Sequence, residues 1–242
     1  MAKNSYRYFN YYYWIRKFTF TTFFQNLFFL SKGYKRRIVF KSILKSFHWR
    51  DYNKPKHNES LSGLGSDLDT CEKLLTSLHS FVDKHKINTI LDLACGDFNW
   101  VRKLIELHTN IQVYCGLEIV DEIVKKNIIS YSNEKIEFVN CDVVQDDLPN
   151  NFDLVIIKDF FIHISNKDIN EVIFKVKKSN AKYMAINTLS TVEKNIDLLS
   201  YGHHRDINIE KAPFNLSNPY LRLKDFNREV NIYDLRMINE KS

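Results

Sequence analysis

Between Ser66 and Asn187 the sequence alternates short apolar runs with amphipathic stretches of helical period, a pattern that few folds satisfy. The apolar runs cover 89–94, 111–117, 136–139, 152–157 and 183–187. The run 152–157 is apolar at nearly every position, as a strand covered on both faces should be. Ser66, with Asp69 three residues on, reads as a helix N-cap, and Leu74, Leu75, Leu78, Phe81 and Val82 follow at helical spacing. Helices are likewise expected over 99–107, 121–129 and 166–177, the last presenting Ile169, Val172, Ile173 and Val176 on one face. Strands that alternate with helices at this spacing imply right-handed βαβ crossovers, hence a parallel, doubly wound sheet.

Charge divides the chain in two. Residues 1–50 carry 11 Lys+Arg and no acidic residue, while residues 51–242 hold 24 basic and 29 acidic side chains, a net of −5. The same first 50 residues hold 17 of the 34 aromatics. The segment 1–57 is therefore expected to be a basic, aromatic, helical extension, followed by one domain over 58–242. Its longest uncharged run, 18–31, is 14 residues, shorter than the roughly 20 a helix needs to cross a bilayer. No small-residue cleavage site marks a signal peptide. Three roles stay open for it. It can pack on the domain, lie on an anionic membrane surface, or stack and pair with nucleic acid. The four cysteines, 71, 95, 115 and 141, lack CxxC spacing and read as reduced, mostly buried thiols of a cytoplasmic protein, peripheral at the inner membrane face if the extension binds lipid.

In doubly wound sheets ligands bind beyond the carboxyl ends of the strands, so the residues there carry the functional signal. The first strand ends Asp92-Leu-Ala94-Cys95-Gly96-Asp97-Phe98, with one glycine where a dinucleotide fingerprint needs three. The second ends Gly116-Leu-Glu118-Ile119, and an acidic residue at that point suits a pair of ribose hydroxyls. The third leads into Asn140-Cys-Asp142-Val143, and the fourth into Lys158-Asp159-Phe-Phe-Ile-His163. The first of these runs resembles motif I of the class I S-adenosylmethionine-dependent methyltransferases, D-x-G-x-G-x-G, with Asp92 and Gly96 retained and Ala94 and Phe98 at the outer glycine positions. The four elements come in that superfamily's order over 88–188.

That resemblance implies a Rossmann-like, seven-stranded, mostly parallel sheet, completed by strands within 181–238, and S-adenosylmethionine as cofactor. It implies cofactor contacts from Asp92, Ala94, Cys95, Gly96, Asp97, Glu118, Ile119 and Lys158, with Asp142 accepting from the adenine amino group and Val143 on the ring. Glu59-Ser-Leu-Ser-Gly63-Leu-Gly65-Ser66, Cys95–Trp100, Lys158-Asp159 with His163, and Pro213–Pro219 further resemble a bacterial branch acting on small molecules and surface glycans. There its Arg-Asp pair reads Lys158-Asp159, which keeps the cation and loses bidentate geometry.

His163 is the candidate general base, because imidazole titrates near neutrality, with Asp159 to orient it or bind substrate. The methyl acceptor implied is an oxygen, less readily a nitrogen, of a small molecule or glycan. An RNA methyltransferase using the basic segment, or a cofactor-binding domain without chemistry, remain the alternatives. The [DNS]-P-P-[YF] run of base-amino enzymes and the Pro-Cys nucleophile of cytosine C5 enzymes do not occur. His203, His204 and Asp206 offer no third ligand of diagnostic spacing, and no metal is expected.

Overall fold

The computed structural model describes residues 32–46, 60–198 and 200–239. Helix α1 spans Lys32–Lys45 and α2 Leu68–His85. Then strands and helices alternate: β1 Thr89–Leu93, α3 Asn99–Leu107, β2 Val113–Glu118, α4 Asp121–Tyr131, β3 Ile136–Asn140 and β4 Leu154–Ile157. After these come α5 Asn166–Lys178, β5 Tyr183–Thr188, β6 Leu221–Asp225, β7 Arg228–Asp234 and α6 Leu235–Asn239. The sheet has seven strands in the order β3-β2-β1-β4-β5-β7-β6. The first five run parallel, and β7 is antiparallel to both β5 and β6. Expectation and structure agree on the fold class and on every strand up to β5.

Period-2 alternation divides the strand side chains between two cores. From β1 and β4, Leu91, Leu93, Val155 and Ile157 join Phe40 of α1 and Ile169, Val172 and Val176 of α5. Ile90, Leu154 and Ile156 face the other way, against Leu74, Leu78 and Val82 of α2 and Val101 and Leu104 of α3. Burying each such side chain contributes about 1.5–3 kcal/mol. The four cysteines are free and buried.

Local chemistry sets the helix ends. Ser165 Oγ accepts from the Asp168 N–H at 3.2 Å and caps α5. The cap expected at Ser66 lies one residue later, at Asp67, because Ser66 closes a 3₁₀ turn over Leu64–Ser66. Asp67 Oδ1 instead accepts from the Ser60 N–H at 3.0 Å, tying the approach strand to the helix start.

The boundary drawn at 57/58 does not separate α1 from the domain. Arg36 and Phe40 are 1% and 6% exposed, so this part of the extension is docked. Arg37 Nη1 donates to the Ile119 carbonyl and Asn140 Oδ1, both at 2.6 Å, and Lys41 pairs with Asp121 and Glu122. Residues 1–31, including the aromatic run 18–31, lie outside the described residues.

Candidate functional site

The five parallel strands end on one edge of the sheet, and a cleft of about 770 Å³ opens there. Asp92, Ala94, Cys95 and Gly96 enter it from the β1 end, Glu118 and Ile119 from the β2 end, and Lys158, Asp159 and His163 from beyond β4. A smaller space of about 260 Å³ adjoins it, bounded by Asp142, Val143, Ile119 and Phe160 below and by Arg36 and Phe40 of α1 above. The structure thus brings together all but one of the sequence-derived site residues. Asp97 is the exception. Its carboxylate accepts from Ser60 Oγ at 2.9 Å, Leu61 N–H at 2.6 Å and Ser62 Oγ at 3.2 Å, so it fastens the 60–62 loop and does not line the cleft.

The β1–α3 turn keeps the shape of a glycine-rich loop without its glycines. Ala94, Gly96 and Phe98 have φ of 59°, 57° and 61°, the left-handed region that costs a residue with a Cβ about 1–2 kcal/mol. At Gly96 a Cβ would stand 2.1 Å from Ser62 Oγ, so a side chain there would displace that hydroxyl as well as strain the backbone. Phe98 offsets its strain by burial, its ring 4.8 Å from Tyr114 and 5.0 Å from Phe138. Glu118 pins the turn from the neighbouring strand: its carboxylate accepts from the Gly96 N–H at 3.1 Å and the Val120 N–H at 2.9 Å.

Two carboxyl groups in the cleft are buried and make no ion pair among the described residues. Burial pushes Asp92 up to about 7, although the Tyr114 hydroxyl donates to it at 2.9 Å. Burial also raises Glu118. Beyond β4 the balance reverses. Burial works against the Lys158 ammonium, yet Asp159 and Asp225 hold it above the ordinary lysine range. Lys158 Nζ also donates to the Gly65 carbonyl at 2.6 Å and lies 5.7 Å from the Trp100 ring. Burial likewise opposes the Asp159 carboxylate, but Lys158 and Arg228 hold it below the usual range. Asp159, at φ 54°, is fixed through its own N–H, which donates to Asn187 Oδ1 at 2.7 Å.

His163 sits in a 3₁₀ turn, Phe161–His163, at the rim. Its Nδ1 meets the His203 carbonyl at 3.0 Å, and only a protonated Nδ1 can make that bond. The basic lone pair is therefore on Nε2. Burial pushes the imidazole down to about 4, so it is neutral at physiological pH. The 189–220 segment buttresses this turn: the Gly202 N–H donates to the His163 carbonyl at 3.0 Å, and Arg205 Nη1 to the Phe161 and Ile162 carbonyls, each at 3.2 Å.

One assignment changes. Asp142 Oδ1 accepts from the Val144 N–H at 3.1 Å, but Oδ2 accepts from Arg36 Nη2 at 2.9 Å and Nε at 3.2 Å. The carboxylate assigned from the sequence to an adenine amino group is thus engaged by the protein's own guanidinium. Arg36 Nη1 continues to Asp168 at 3.3 Å, so one buried cation joins β3's end to the first turn of α5. Gly33 permits the approach, since a Cβ there would be 2.5 Å from Asp142 Oδ2. Arg36 and Phe40 line the smaller space and Arg228 pairs with Asp159, and no motif in the sequence marks any of the three. Nothing in the spacing of Arg36 distinguishes it from the ten other cations of residues 1–50.

No family model matches the sequence, and no curated protein matches it. Solved structures do match in shape. The methyltransferase domain of bacterial CtHen1 aligns with a TM-score of 0.52 at 12% identity, over 67% of this chain and 98% of that one. Magnesium protoporphyrin IX methyltransferase from Synechocystis PCC 6803, with S-adenosylmethionine bound, gives 0.51 at 14% identity, over 81% and 94%. The S-adenosylmethionine-dependent methyltransferase SibL gives 0.51 at 13%, over 68% and 55%. The fold is that of the class I methyltransferases.

Proposed function

We propose that this chain is an S-adenosylmethionine-dependent methyltransferase that methylates an oxygen of a small molecule or glycan. The observation that carries the reading is the convergence on one cleft of a glycine-type turn, two buried carboxyls and an imidazole whose Nδ1 is engaged by a backbone carbonyl. Asp92 and Glu118 favour a ligand that brings positive charge, and S-adenosylmethionine carries it on both the sulfur and the amino group. The Gly96 turn, Glu118, Ile119 and Val143 would hold it. When bound, the cofactor supplies a methyl group on an electrophilic sulfur. His163 Nε2 takes the proton of the acceptor hydroxyl as that oxygen becomes nucleophilic and later releases it to water, while Lys158 and Asp159 orient the acceptor. Isothermal titration tests the reading. S-adenosylmethionine and S-adenosylhomocysteine should both bind, and Glu118→Ala should weaken both by at least about tenfold through the loosened turn. No binding of either to the wild-type chain would overturn it.

For the extension we propose the inner face of an anionic membrane as partner in preference to nucleic acid. Arg36, Arg37 and Lys41 are engaged within the domain, which removes three cations from any polyanion surface. Among the described residues no helix is long and apolar enough to cross a membrane. The aromatics of 18–29 would then give binding to anionic liposomes that survives partly at about 0.5 M salt, where screening acts within a few ångströms. Sedimentation of full-length protein and of a chain lacking residues 1–31 checks this, and a full-length chain that stays in the supernatant at low salt refutes it.

A further inference from the structure

Away from the cleft, α2 and the end of α3 bring His79, Asp83 and His108 together, one ligand atom from each lying within 4.8 Å of the others. His79 and Asp83 are one helical turn apart on α2. His108 is the C-cap of α3, its side chain 1% exposed and its backbone held by bonds to Ile105 and Ile111. The geometry of the two rings is informative. His79 Nδ1 and His108 Nε2 face each other at 2.8 Å, with ring centroids 4.5 Å apart. The Asp83 carboxylate stands on the outer side of both: Oδ1 is 3.2 Å from His108 Nδ1, and Oδ2 is 3.8 Å from His79 Nε2.

His79 Nδ1 and His108 Nε2 share a hydrogen bond across that 2.8 Å, so one inner nitrogen carries a proton that a metal would displace, and the Asp83 carboxylate, 3.2 Å from His108 Nδ1, favours the tautomer with its proton on that outer nitrogen. A carboxylate on the outer nitrogen of a ligating histidine is the usual support of a metal-bound imidazole, fixing tautomer and ring orientation. We propose that His79 Nδ1 and His108 Nε2 bind a divalent transition metal, zinc being the natural choice for paired imidazoles, with Asp83 as the residue that positions both rings. Two nitrogens each about 2.0 Å from a tetrahedral zinc stand about 3.3 Å apart, so the pair needs to open by only about 0.5 Å. Water completes the coordination, because His79 and Asp83 are 43% and 60% exposed. The metal would staple the middle of α2 to the end of α3, behind the sheet and independent of the cofactor edge. The sequence reading looked for close pairs such as His203-His204 and passed over ligands 29 residues apart. In the structure Arg228 stands between those alternatives, donating to Asp206 at 2.8 Å and meeting His204 at 2.6 Å.

The test uses the full chain, freed of metal by chelation, titrated with zinc chloride alone. Wild type should take up one zinc per chain and melt at a higher temperature with it. His79→Gln, which keeps a donor for His108 but is a poor ligand, should lose at least about tenfold in zinc affinity with its metal-free melting unchanged. Asp83→Asn should lose about 10–100-fold. His204→Gln should bind as wild type does. Failure of the wild type to bind zinc, or wild-type affinity in His79→Gln, would overturn the proposal. So would loss of binding in His204→Gln, which would place the metal elsewhere.

Discussion

The floor and the roof of the cleft are made in different ways. The floor is local: each residue that forms it lies at or just beyond the end of a strand, so Asp92, Gly96, Glu118 and Asp159 arrive in chain order as β1, β2 and β4 end. The roof is assembled at long range. Arg36 reaches Asp142 and Asp168 across 106 and 132 residues, and the 189–220 segment folds back on the His163 turn. A floor of this kind follows from hydrophobic periodicity and the rule that ligands sit at strand ends. A roof depends on one cation finding two carboxylates, and no period in the sequence encodes that. The two also differ in charge: Asp92 and Glu118 of the floor make no ion pair among the described residues, whereas both carboxylates on Arg36 are paired with it.

The comparison is tested first where the reaction would occur. His163→Ala should lower kcat by about 10²–10⁴-fold while cofactor affinity stays constant, since the imidazole acts on the acceptor proton. The pH profile carries the sharper statement. Because burial holds the imidazole at about 4, its basic form persists well below neutrality. The acid limb of kcat should therefore appear only as pH falls towards about 4, instead of near the usual 6.5. A limb near 6.5 that vanishes in His163→Gln would show that the roof does not bury this ring in solution. Loss of cofactor binding in His163→Ala would assign the residue to the floor.

Next comes the ion pair that joins roof to floor. Arg36→Ala leaves Asp142 and Asp168 buried without their cation, and breaking a buried pair from one side costs about 3–5 kcal/mol. Chemical denaturation should show that loss. Adding Asp142→Asn and Asp168→Asn to Arg36→Met should recover most of it, because uncharged groups of similar shape carry no such penalty. A change below about 1 kcal/mol in Arg36→Ala would mean that α1 is not docked, and the roof would reduce to the 189–220 segment.

How far the sequence reaches can be judged from these same residues. The strands up to β5, and which residues stand at their ends, are legible in the sequence, because buried parallel strands leave uninterrupted apolar runs whose ends the runs themselves mark. β6 and β7 were placed only within 181–238. Arg222, Lys224, Glu229 and Asn231 break the apolar pattern in this antiparallel pair. Adjacency to Gly96 says nothing about where the Asp97 side chain turns, and here it turns back to Ser60 and Ser62. Arg36 was invisible for the reason given above, and with it the fact that Asp142 has a partner within the chain.

The smallest effect concerns the turn at which the motif departs from glycine. Ala94 and Phe98 share a left-handed φ, 59° and 61°, but their side chains meet different fates. Phe98 is 1% exposed and anchors an aromatic cluster, so its strain is offset by packing that glycine would forfeit. Ala94 is half-buried at the cleft wall, and its methyl group contributes far less. Ala94→Gly should thus relieve about 1–2 kcal/mol of left-handed strain. The unfolded chain gains about 0.4–1 kcal/mol of backbone freedom from the same change. The net expected is a stabilisation of about 0.5–1 kcal/mol, read as a rise in melting temperature of a few degrees. Cofactor affinity should hold, since the turn keeps its shape and Glu118 still grips the Gly96 N–H. A fall in melting temperature would show that the Ala94 methyl is part of the packing between turn and roof, and that the floor is not as local as its order in the chain suggests.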